Sequence, residues 1–61
     1  MKTSELLKLL KENGIRLHRH GKRHDMYYSP ITNKIFPIPR HKTEVASGTL
    51  QSILKDAGLK R

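Results

Sequence analysis

The chain has 61 residues, 13 Lys and Arg against 5 Asp and Glu, a formal net charge of +8 and 34% hydrophobic residues. A chain of this length buries only about 60% of the surface its unfolded form exposes, which excludes a large cofactor pocket or several domains and predicts one domain over residues 1–61. It has no cysteine for disulfides or thiolate metal sites, and no apolar run approaches the ~20 residues of a membrane span, so the expectation is a soluble, cytoplasmic protein whose charge favours a polyanionic partner.

From Thr3 to Asn13 the chain places Leu6, Leu9 and Leu10 on one stripe, widened by Leu7, with Lys8, Lys11 and Glu12 opposite. That spacing predicts an amphipathic helix. Thr3 or Ser4 is the expected amino-terminal cap, Glu5 suits the positive end of the dipole, and Asn13-Gly14 supplies a left-handed stop. Ile15 to His20 then alternate, Ile15 and Leu17 on one face and Arg16, His18 and His20 on the other, as in a strand with one wet side. Gly21-Lys22-Arg23 reads as a turn, and Asp25 to Ser29 as a second strand antiparallel to the first.

Pro30 and Asn33 mark a further turn, with Asn33 tolerant of positive φ. Lys34 to Ile38 follow as a third strand in which Phe36 and Ile38 share a face. Pro37 and Pro39 cannot donate to a ladder, so this strand is expected at a sheet edge, or else to pair only through its carbonyls and remaining amides. Arg40 to Val45 form a polar loop. Ser47 to Ala57 put Leu50, Ile53, Leu54 and Ala57 at helical spacing, with Gly58 as the stop and Leu59 folding back on the helix. The reading is an α+β fold, a three-stranded antiparallel meander with both helices on one face.

Arg16, Arg19, Lys22 and Arg23, with Arg40 and Lys42, are denser than solubility alone requires and are the candidate contacts to a polyanion such as RNA. His18, His20 and His24 could offer three imidazoles, but no carboxylate or thiol completes an orderly set, and neither a metal nor another cofactor is expected. Tyr27 or Tyr28 could stack on a base, although packing is the commoner fate of a strand tyrosine. Two readings compatible with the charge are a non-catalytic RNA-binding module and a basic domain that docks an acidic protein.

The α-β-β-β-α order is the layout of the double-stranded-RNA-binding fold. Gly21-Lys22-Arg23-His24-Asp25-Met26-Tyr27, Pro39-Arg40-His41, and the run from Ser47 through Gly48-Thr49-Leu50 to Ala57-Gly58-Leu59 resemble the HicA family of toxins over nearly the whole chain. One departure is that Lys22-Arg23 stand where many members carry smaller residues. The resemblance implies a ribosome-independent mRNA interferase, neutralised by a HicB-like antitoxin, whose single catalytic histidine falls on His24. Such an enzyme needs no metal, because the RNA 2′-hydroxyl attacks the adjacent phosphate once a base removes its proton. Strand alternation puts His24 on the side of Met26 and Tyr28, so its access to solvent depends on whether Met26 lies in the core.

Overall fold

Leucine spacing and the Gly14 stop produce the first helix, α1 (Thr3–Glu12), whose Leu6 and Leu10 are completely buried. The computed structural model describes residues 1–59. After α1 come β1 (Arg16–Arg19), β2 (His24–Ser29), β3 (Lys34–Pro39) and α2 (Ser47–Ala57). The strands form one antiparallel sheet in the order β1-β2-β3, so β3, with its two prolines, lies at an edge as its chemistry requires. Gly14 takes φ +79°, Asn33 φ +60° and Gly58 φ +81°, and these left-handed residues end α1, shape the β2–β3 turn and stop α2, respectively.

Register decides which face each strand residue occupies. Tyr27 pairs with Phe36 and Asp25 with Ile38, and Phe36 and Ile38 are each 1% exposed. Asp25, Tyr27 and Ser29 therefore share the helix-covered face with Phe36 and Ile38. His24, Met26 and Tyr28, with Ile35 and Pro37 of β3, occupy the other face. Leu6, Leu10, Ile15, Val45, Ile53 and Ala57 join Phe36 and Ile38 in the core. Met26 lies outside that cluster, so His24 is on the open side of the sheet rather than beneath a helix.

Several local expectations give way to tertiary contacts. Lys2, not Thr3 or Ser4, is the amino-terminal cap of α1, and it makes no side-chain cap bond. Thr3 is drawn inward, where its Oγ1 donates to the Lys42 carbonyl at 2.7 Å. The Thr3 amide donates to Thr43 and the Val45 amide to Met1. These pairings bury Val45 to 4% exposure, so the loop assigned as polar ends in a core residue. β1 is shorter than the alternating run, and its pairing shifts between Leu17 and Arg19, a bulge that leaves His18 without a cross-strand partner in the register. Leu17 remains on the helix side, opposite Tyr27, yet is 41% exposed. The cause is coverage: α2 packs on β3 and β2, and a groove between α1 and the edge strand is left open, lined by Leu7, Lys11, Leu17 and Tyr27 among others.

The carboxyl end of α2 is held by the β2–β3 turn. Ser29, fully buried, donates through Oγ to the Ala57 carbonyl at 2.7 Å and accepts from the Ile31 amide at 3.2 Å. Thr32 Oγ1 donates to the Asp56 carbonyl. Terminal carbonyls that a helix leaves without intrahelical partners are thereby satisfied. Gly58 follows immediately, and a Cβ there would sit 2.6 Å from Ile31 Cγ2, so the stop needs glycine for both its φ and its space.

Candidate functional site

The basic hairpin between β1 and β2 owes its shape to a close backbone approach. A Cβ on Gly21 would lie 2.3 Å from the carbonyl oxygen of His24, far inside van der Waals contact. Glycine at this position lets the chain fold back tightly enough for His24 to begin β2, a physical reason for the three-residue spacing between the two. The Gly21 carbonyl in turn accepts from Arg40 Nη1 at 2.9 Å, and the Arg23 carbonyl accepts from the Arg40 amide at 3.0 Å. Arg40, just beyond β3, thus straps the turn from the neighbouring strand.

Asp25 is the acidic centre of this end of the molecule. Its Oδ1 is 3.1 Å from His20 Nδ1 and 3.9 Å from Arg40 Nε, with the carboxylate side chain 16% exposed and His20 64% exposed. The single carboxylate therefore orients one imidazole and neutralises part of the cationic strap. Nothing in the charge pattern singled out Asp25. Its role depends on His20, five residues back, and Arg40, fifteen residues on, converging on one carboxylate, and only strand pairing brings them together.

His24 is exposed and pairs in register with Pro39. It follows Lys22 and Arg23 directly, both exposed in the turn. Arg19 lies opposite Met26 and Arg16 opposite Tyr28, so these two arginines belong to the open-face rows that His24 starts. Lys42 is exposed in the loop before α2, where its carbonyl is taken by Thr3. Of the six candidate phosphate contacts, Arg40 is thus already engaged by backbone and carboxylate, while Arg19, Lys22 and Arg23 lie at the hairpin and Arg16 at the other end of β1, opposite Tyr28. His18 and His41 are exposed. Among the described residues, no three or more His, Cys, Asp or Glu side chains gather as a metal-binding group, so His18, His20 and His24 do not converge.

The two tyrosines part company. Tyr27, on the covered face, has its hydroxyl pKa raised above 10.0 by burial and, secondarily, by the Asp25 charge. Tyr28 stands on the open face, its hydroxyl donating to Asn33 Oδ1. The arrangement thus offers an accessible imidazole, exposed cations next to it and an open sheet face. An imidazole exchanges protons near neutral pH and flexible cations stabilise charge on phosphate oxygens. No helix among the described residues is long and apolar enough to cross a membrane.

Comparison with known proteins agrees with the sequence motifs. The family model described as HicA toxin of bacterial toxin-antitoxin matches residues 3–59, a span that includes the Gly21 turn, His24 and both helices. The curated proteins and the solved structures gave no match.

Proposed function

The chain belongs to the HicA toxin family of bacterial toxin-antitoxin systems, and from that premise we propose that it is an endoribonuclease that cuts mRNA and arrests translation. The observation that carries the reading is His24 itself: exposed, at the first position of β2, directly after the cationic pair Lys22-Arg23. In the proposed reaction the 2′-oxygen of the substrate forms a bond to the adjacent phosphorus as the bond to the 5′-oxygen breaks. The 2′-hydroxyl gives up its proton and the departing 5′-oxygen gains one, leaving a 2′,3′-cyclic phosphate and a 5′-hydroxyl. His24 carries one of these transfers and water the other, which makes turnover slow. Lys22 and Arg23, with Arg19, offset the charge on the phosphate oxygens, and Arg16, Arg40 and Lys42 extend the cationic surface.

The partner is a HicB-like antitoxin. A net charge of +8, with Arg19, Lys22 and Arg23 at the open hairpin, favours an acidic protein surface that covers His24 and the phosphate-binding groups together. The working compartment on this reading is the cytoplasm, where mRNA is translated.

The test is RNA cleavage by the purified protein in EDTA, wild type against His24→Ala, with circular dichroism to verify that both are folded. Wild type should generate cyclic-phosphate ends and the variant should be slower by at least about 100-fold, the lower range for a positioned acid-base group. RNA that stays intact with folded wild-type protein, yet is bound in a salt-sensitive way, would replace this reading with the non-catalytic RNA-binding module.

A further inference from the structure

The open face of the sheet is half apolar and half cationic. Tyr28 pairs with Ile35 on one side and with Arg16 on the other. Ile35 is 48% exposed, a large apolar side chain left in water next to an aromatic ring. One step along the same face, Met26 stands between Pro37 and Arg19. Beside Tyr28 an open groove of about 540 Å³ is lined by Gly14, Arg16, Tyr28 and Pro30. Gly14 contributes no side chain to fill it, and its left-handed φ of +79° keeps a glycine there.

We infer that this groove is a nucleobase subsite for single-stranded RNA, in which an unpaired base stacks on Tyr28 and Arg16 holds its phosphate. The inference rests on the nuclease reading for its biological setting but on separate residues for its evidence. The Tyr28 hydroxyl is tied to Asn33, so the ring is oriented before RNA arrives and loses little freedom on stacking. Arg16 sits directly across the strand pair, the arrangement in which one side chain receives the base and its neighbour the backbone. A sheet that offers aromatic faces beside cations is a general platform for unpaired nucleic acid, because every base has a π-face and every linkage a charge. The same groove rejects a duplex, whose base faces are already stacked. An apolar protein segment would gain from the apolar half alone, whereas the arginines at two successive registers match a repeating anion.

His24 and Tyr28 lie on one strand four residues apart, about 13 Å at ~3.3 Å per residue. The base at Tyr28 is therefore not part of the nucleotide that is cut. Tyr28 is a positioning residue that holds the message while His24 acts further along the strand, and Arg19, opposite Met26, marks the path between them. Tyr27 contributes nothing to this surface because it stands on the opposite face of the sheet, paired with Phe36.

The chain contains no tryptophan, so Tyr28→Trp introduces one fluorophore at the subsite. The probe is a uniformly 2′-O-methyl single-stranded oligonucleotide, which lacks the attacking hydroxyl and reports binding without chemistry. The expected result is saturable quenching of the introduced indole by the single strand and little by the same strand annealed to its complement. Tyr28→Ala should weaken binding by roughly tenfold or more, raising KM for a cleavable RNA while kcat stays within about twofold, and Tyr28→Phe should stack nearly as well as wild type. Equal affinity in a folded Tyr28→Ala protein, or an unquenched indole when RNA is saturating, overturns the subsite. Should Tyr28→Ala fail to fold, the quenching experiment decides alone. Quenching without cleavage by wild type keeps the subsite and removes the nuclease, cleavage indifferent to Tyr28 does the reverse, and wild-type protein that binds no RNA removes both.

Discussion

The two ends of β2 are built by opposite means. At its far end Ser29 is fully buried, its hydroxyl grips the last carbonyl of α2, and Thr32 takes the carbonyl before it. At its near end the Gly21–His24 hairpin stands in solvent, secured by an exposed arginine and by a carboxylate that meets the His20 imidazole and that same arginine. Buried hydrogen bonds of the first kind are costly to lose, because the orphaned partner cannot turn to water. Exposed ion contacts of the second kind contribute little stability and yield easily. The difference teaches that the stability of this small fold and its proposed chemistry are spatially separated: the end that anchors α2 bears no candidate catalytic group, and the end that bears His24 stands open to solvent.

The sharpest way to break the comparison is Gly58→Ala. A left-handed φ costs an L-residue about 1–2 kcal/mol, and the new methyl meets Ile31 and Thr32, so a loss of about 2–4 kcal/mol is expected. Thermal denaturation should show a drop of at least about 10 °C for a chain of this size. A shift of only a few degrees would mean that the turn does not hold α2. Ser29→Ala should cost about 1–3 kcal/mol by stranding the Ala57 carbonyl, without altering cleavage by the protein that remains folded.

The hairpin should respond in the inverse sense. Gly21→Ala forces a methyl against the His24 backbone carbonyl, which only a shift of the turn backbone relieves, so stability falls by about 1–3 kcal/mol. Cleavage should fall tenfold or more, because a displacement near 1 Å is enough to spoil a reacting geometry. Full activity in Gly21→Ala would detach His24 from the chemistry of that turn. Asp25→Asn, which keeps the shape and removes the charge, should cost no more than about 1 kcal/mol in denaturant melts, a difference that shrinks further in high salt.

The smallest effect is alkaline. Tyr27 ionises at higher pH in the folded protein than in the unfolded chain, chiefly because it is buried and secondarily because of Asp25. The unfolded state therefore loses its proton first, and the stability contributed by the neutral hydroxyl is present below pH 10 and declines as pH rises through the folded value. In Tyr27→Phe that part of the decline should vanish from stability curves measured above pH 10. A curve identical to wild type would place the alkaline loss elsewhere.

Much of this architecture is legible from residue order alone. Leucine spacing locates both helices, prolines send β3 to an edge, Asn33 and Gly58 mark left-handed turns, and the Gly21-to-His24 block with the final helix points to the family. These are signals of backbone preference and local period, complete within a few residues. The sequence by itself therefore determined the element order, the family and the identity of His24 as the residue to test. Only the tertiary structure decided that Tyr28 lies on the open face of the sheet while Tyr27 lies on the helix side, that Leu17 stays half exposed on the edge strand β1, that Thr3 and Val45 turn inward, and that Asp25 joins His20 to Arg40. The physical reason is distance along the chain: Ser29 meets Ala57 across 28 residues and Thr3 meets Lys42 across 39, and which face of an alternating strand is buried depends on where distant helices come to rest.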